Sequence, residues 1–165
     1  MQFPIVDFNS PGAPAAFCDS LHRTGFGVLK NHPLSQALVS GIYEEWLAFF
    51  ATEAKHQYPF DKNGKLDGYF STAVSETAKG NTVKDFKEFF HIYPWGRYPV
   101  EVSDAARRYY TQGSQLAATL LQWVEDVSPP EVKARYSMPL PQMIAGCEET
   151  LLRVLHYPPL SGNEP

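Results

Sequence analysis

The sequence predicts a mixed α/β fold in which helices pack on a small sheet. Three observations predict it. Short apolar runs with strand character alternate with longer stretches of helical periodicity, in the order strand, helix, strand, helix, long loop, strand, helix, strand. Fourteen prolines interrupt the 165 residues too often for a bundle of long helices. Hydrophobic residues make up 44% and charged residues 19%, which supplies a packed core and argues against a disordered chain.

Phe3 to Phe8 reads as a short strand, with Pro4 near its start, where a missing N–H costs the ladder least. Asn9-Ser10-Pro11-Gly12 supplies a turn. A helix is predicted over 13–23. Pro14 suits its first turn, Phe17 and Leu21 share a face, and Gly25 ends it. Phe26 to Leu29 has the composition of a buried strand. Ser35 is positioned to cap the next helix, on which Leu38, Ile42, Trp46, Phe49 and Phe50 recur at helical spacing. Residues 57–82 hold Pro59, Gly64, Gly68 and Gly80 with little periodicity and read mostly as loop. Asp85 to Tyr93 is ambiguous, although Phe89, Phe90, Ile92 and Tyr93 favour a strand that Pro94-Trp95-Gly96 ends. Ser103 caps a long helix over about 104–126, with Tyr109, Leu116, Leu120 and Val124 on one face. Ser128-Pro129-Pro130 opens a short helical piece, and Leu151 to His156 is a strand stopped by Tyr157-Pro158-Pro159.

The formal charge of −4 lacks the concentrated positive surface that phosphate tracking needs, so no nucleic-acid partner is expected. No stretch approaches the roughly 20 apolar residues of a membrane span. The opening MQFPIVDFNS has no signal-peptide pattern, and the expected location is the cytoplasm. Cys18 and Cys147 are too few for a disulfide framework and suit a reducing compartment, each as a small buried apolar group.

Candidate chemistry is sparse. Two Glu-x-x-His patterns occur, Glu53 with His56 and Glu88 with His91. Residues spaced by three share a face on a helix, and di-iron carboxylate bundles use such pairs. The proline load and the strand character around Glu88 make this the less favoured reading. Cys147 precedes Glu148 and Glu149, whose charges oppose a reactive thiolate. There is no nucleophile elbow, phosphate-binding glycine loop or zinc knuckle. Phe86, Phe89, Phe90, Tyr93 and Trp95 read as a sheet core or pocket wall.

Several segments together resemble the isopenicillin N synthase-like non-haem Fe(II), 2-oxoglutarate-dependent oxygenases. They are Phe3-Pro4-Ile5-Val6-Asp7-Phe8, Gly25-Phe26-Gly27-Val28-Leu29-Lys30-Asn31-His32, Phe49-Phe50-Ala51 with Lys55, Gly68-Tyr69, and Asp85-Phe86-Lys87-Glu88-Phe89-Phe90. The most specific is Leu152-Arg153-Val154-Leu155-His156-Tyr157-Pro158-Pro159, similar to the family's Arg-x-Asn-x-Tyr-Pro strand. Their order and spacing extend across nearly the whole chain.

The resemblance implies the N-terminal part of a double-stranded β-helix (jelly-roll) oxygenase fold. Residues 1–149 would form the helix-and-strand region, and residues 150–165 the first strand leading into the catalytic barrel. It implies an oxidoreductase acting on a small organic substrate, with Fe(II) and 2-oxoglutarate in the complete enzyme. No His is followed two places later by Asp or Glu, so the family's His-x-Asp pair is missing. The chain alone is therefore expected to bind neither cofactor tightly and to be inactive in isolation, with a C-terminal catalytic segment as its partner. A non-catalytic interaction module of the same scaffold is the alternative. The family places a cosubstrate contact at Tyr157, and Arg153 could lend positive charge beside it, although its plainer role is pairing with a carboxylate. Leu155 stands where many relatives have a hydrogen-bonding Asn. Tyr69, Phe70, Phe90 and Ile92 are the candidates for the substrate wall. Asp85, Lys87 and Glu88 are expected to fix a strand edge by charge pairs.

Overall fold

The structure, a computed structural model, describes residues 3–61, 64–74, 85–160 and 162. The expected loop from 75 to 82, with Gly80, lies outside the described residues, as do 161 and 163–165 of the expected barrel-leading segment. The elements run β1 (Ile5–Asp7), α1 (Ala13–Thr24), β2 (Val28–Lys30), α2 (Gln36–Phe50), β3 (Gly68–Phe70), β4 (Glu88–Ile92), α3 (Ala105–Val127), α4 (Pro130–Lys133) and β5 (Leu152–His156). This is the mixed α/β class, with two small sheets. No helix among the described residues is long and apolar enough to cross a membrane.

The chain forms two compact units. One comprises residues 1–35 and 111–147. Its sheet is the parallel pair β1–β2, with Val6 opposite Leu29. Pro14 sits in the first turn of α1, and Gly25 closes the helix in the left-handed conformation at φ 76°, its N–H returning to the Leu21 carbonyl. Phe17, Val6 and Ala13 are buried, with Leu120, Trp123 and Val124 of α3 packed against them. The expectation of a buried strand at Phe26 to Leu29 fails: Phe26 is 59% and Val28 39% exposed. A three-residue strand with one paired neighbour covers little of its own surface, whatever its composition. Cys18 and Cys147 are half-buried rather than core residues. Burial still pushes the Cys18 thiol up, which fits an inert role.

The second unit comprises residues 36–110 and 148–165. Its antiparallel sheet has the order β3-β4-β5, so β4 is central. The helical stripe of α2 lies where periodicity places it. Ile42, Trp46, Phe49 and Phe50 are buried on Phe90, Ile92 and Tyr69 of the sheet, joined by Ala105 and Ala106 from the start of α3. Trp46 meets Phe49 at 5.4 Å and Phe90 at 5.2 Å, both edge-on. The Ser103 hydroxyl accepts the Ala105 N–H and so caps α3.

Two sequence readings change here. The stretch read as loop contains β3. Gly68 there adopts φ +97°, and a Cβ would lie 2.5 Å from the Tyr58 carbonyl oxygen and 2.7 Å from an Arg97 amino nitrogen. A short strand opened by a glycine carries almost no periodic signal. Lys87 pairs with Asp85 at 2.9 Å as expected, but the segment is no sheet edge, because β5 flanks the far side of β4.

Candidate functional site

Strand periodicity sends alternate β4 side chains to opposite faces. Glu88, Phe90 and Ile92 share one face, and Phe89 and His91 share the other. The register sets Glu88 opposite His156 and His91 opposite Arg153. Each pair is therefore a cross-strand contact, one on each face.

Glu88 is 4% exposed on the face that packs against α2. One carboxylate oxygen accepts Lys55 Nζ at 2.9 Å and the Tyr69 hydroxyl at 2.5 Å; the other accepts His156 Nδ1–H at 2.7 Å. Lys55 belongs to the 3₁₀ segment Glu53–Gln57 after α2, and its Nζ also donates to the Phe50 carbonyl at 2.6 Å. The His156 ring stacks on Phe50 at 5.5 Å. Burial alone would push the Glu88 carboxyl up. The bonds from Tyr69, His156 and Lys55, with the Lys55 charge, outweigh it and hold the group below its ordinary range. Burial and the adjacent carboxylate push the Tyr69 phenol up, so it stays a donor. Glu88 is thus an anion at neutral pH that ties β4 to β3, to β5 and to the turn after α2.

On the other face lies an aromatic file. Phe60 stacks on Phe70 at 4.2 Å, Phe70 on Phe89 at 4.5 Å, and His91 lies 4.5 Å from Phe70 and 5.0 Å from Phe89. His91 Nδ1 is 2.8 Å from the Leu66 carbonyl oxygen, and Arg153 Nε–H donates to His91 Nε2 at 2.8 Å. The Arg153 guanidinium lies over the Phe89 ring, 4.7 Å from its centroid. The expected carboxylate partner of Arg153 is corrected: among the described residues its hydrogen-bond partner is an imidazole.

The residues singled out for the substrate wall do not share one surface. Tyr69, Phe90 and Ile92 are in the core beneath α2, whereas Phe70 is in the aromatic file on the opposite face. Tyr157, just past the end of β5, is 63% exposed. It borders a cavity of about 250 Å³ with Tyr43, Trp46, Leu47, Phe50 and His156. Arg153 borders a neighbouring groove of about 260 Å³ with Val39, Ile42, Tyr109 and Leu152. Of the two cosubstrate candidates, Arg153 is on β5 and Tyr157 follows its last residue, and the four wall candidates are divided between the two faces of the sheet.

The sequence reading missed Glu88 as a hub and His91 as the partner of Arg153. Lys55 and Glu88 both lay in the segments that carried the family resemblance, which was the available signal. Their contact spans 33 positions, so no local pattern reveals it. The Glu-x-x-His spacings dissolve: Glu88 and His91 project to opposite faces of a strand, and Glu53 and His56 form a separate exposed pair at 3.7 Å. Among the described residues no group of three or more His, Cys, Asp or Glu side chains could hold a metal ion. They do not fit the facial triad of a non-haem iron site. The donors of Tyr157 and Arg153 do suit a carboxylate.

Comparison with known proteins fits this architecture. The family described as the N-terminal region of non-haem dioxygenase in morphine synthesis matches residues 3–114. A candidate oxygenase from Shewanella oneidensis is 48% identical over 100% of this chain, with a TM-score of 0.88. This chain spans 59% of that protein. A candidate 2OG-Fe(II) oxygenase family protein from Caulobacter crescentus shares the fold at 24% identity and a TM-score of 0.69 over 98% of this chain, which spans 58% of its length. A full-length Neurospora crassa protein, solved in complex with alpha-KG, aligns over 94% of this chain and 54% of its own at 18% identity and a TM-score of 0.67. No curated protein matches. The chain belongs to the non-haem dioxygenase N-terminal family.

Proposed function

We propose that this chain is the N-terminal part of a cytoplasmic Fe(II)- and 2-oxoglutarate-dependent dioxygenase that oxidises a small organic substrate. The observation that carries this reading is the 48% identity to a candidate oxygenase along the whole chain. In it, residues 1–149 are the N-terminal helix-and-strand region, and residues 150–165 lead into a jelly-roll barrel. Tyr157 donates its hydroxyl, and Arg153 its guanidinium N–H groups, to the cosubstrate carboxylate. Tyr69, Phe90 and Ile92 brace β5 from the α2 face and Phe70 braces the opposite face, so that the substrate wall keeps its shape. The iron is held by residues of a C-terminal catalytic segment, and no step of the reaction is assigned to the side chains described above.

The test is succinate formation from 2-oxoglutarate with ferrous iron. The chain alone should give none. Mixed with the portion of the Shewanella protein that it does not span, it should restore succinate release. Turnover by the chain alone would overturn the assignment of the iron ligands. A stable complex without turnover would favour the non-catalytic module.

A further inference from the structure

We propose that His91 is a positioning residue that presents Arg153 as a binding site for a carboxylate. The ligand class rests on the reading above. The arrangement rests on geometry alone.

A guanidinium can only donate and a backbone carbonyl can only accept. His91 Nε2 receives the Arg153 Nε–H at 2.8 Å, so it must carry a lone pair. His91 Nδ1, 2.8 Å from the Leu66 carbonyl, must then carry the ring proton. The imidazole is fixed as one neutral tautomer, and both ring nitrogens have their partners. His91 is 6% exposed, and its ring packs against the stacked pair Phe70 and Phe89. His91 has little freedom to reorient, and neither does the arginine edge bonded to it.

A neutral imidazole orients the guanidinium without cancelling its charge. This is the difference from the common case, in which a half-buried strand arginine is paired with Asp or Glu and has no attraction left for another anion. Among the described residues, Arg153 forms no ion pair with a carboxylate. Glu149 and Arg153 both act on the Tyr93 phenol, with opposite sign, yet they are not paired with each other. Phe89 covers one planar face of the guanidinium at 4.7 Å. With Nε committed, the terminal amino groups are what Arg153 can offer to a ligand. That edge matches the two oxygens of a carboxylate. One guanidinium in a chain of net charge −4 suits a single carboxylate group, with one charge shared by two oxygens, better than a phosphate group carrying two charges.

Two sources share this chemistry, the cosubstrate and an acidic organic substrate. The experiment follows the Arg153 Nε–H and His91 ring nitrogens by NMR while the protein is titrated with 2-oxoglutarate, benzoate or inorganic phosphate. We expect His91 as the Nδ1–H tautomer and saturable shifts of Arg153 with a carboxylate. Preference for 2-oxoglutarate assigns the subsite to the cosubstrate, and preference for benzoate assigns it to the substrate. Arg153→Lys and His91→Phe should each weaken binding about tenfold, and His91→Gln, which keeps an acceptor for Nε, should recover part of it. Phosphate binding as tightly as either carboxylate, no shift with any probe, or an Nε2-protonated His91 overturns the proposal. The tautomer is read in the unmodified protein, so a variant that fails to fold does not shield the idea. Failure here leaves succinate formation unaffected as the test of the oxygenase reading, and failure of that assay leaves the benzoate arm standing.

Discussion

Replacing Glu88 with Gln keeps the shape of the side chain and removes the charge on which three donors converge. Lys55 Nζ, 2.9 Å away and 16% exposed, would lose its counter-charge. His156 Nδ1–H would face an amide N–H group or have to change tautomer. Breaking a buried ion pair by removing one partner costs about 3–5 kcal/mol. Lys55 retains the Phe50 carbonyl and some contact with water, which places the expected loss at about 2–4 kcal/mol. The assay is urea unfolding at pH 7, with Lys55→Met and the double variant completing a cycle whose coupling should be about 1–3 kcal/mol. The dependence on pH has a definite sign. The folded-state pKa of Glu88 lies below the unfolded value of about 4.3, so its contribution is complete above that value and is lost as pH falls through the folded pKa. The gap between the two proteins should therefore be full at neutral pH and close progressively below about pH 4. A gap under about 0.5 kcal/mol at pH 7, or one unchanged at pH 3, would refute the view of Glu88 as a paired buried anion.

Two further outcomes test the surrounding fold. Phe90→Ala empties a fully buried position between Trp46 and Phe49, and should cost about 3–5 kcal/mol in the same unfolding assay; a loss below about 1 kcal/mol would mean the core collapses around the gap. Gly68→Ala puts a Cβ against Tyr58 and Arg97 at φ +97°, and the backbone strain alone is about 1–3 kcal/mol, so the melting temperature should fall by several degrees; an unchanged Tm would show that β3 relaxes without penalty.

Long periodic elements were legible because their signal is local. The stripe of α2, the cap and length of α3 and the proline and glycine that bound α1 each depend on residues within a turn or two of one another. β5 was legible for the same reason, since Tyr157-Pro158-Pro159 stops it. β3 was not, because three residues opened by a glycine make no pattern. The burial of β2 was misjudged because composition reports what a strand could bury, not what covers it. Among the proposed site residues, Tyr157 and Arg153 were singled out through the family resemblance, while their surroundings were not legible.

The longer elements, the mixed α/β class and the family follow from the amino-acid order, since each is carried by residue identity at short range or in fixed succession along the chain. Which charges meet is a matter of three-dimensional packing. The pairing of β4 with β5 joins positions 62 and 68 residues apart, setting His91 against Arg153 and His156 against Glu88. A one-residue slip of that register would exchange the faces and separate both pairs. That register is selected by the burial of Phe90, Ile92 and Val154 against α2, a constraint that no window along the chain contains.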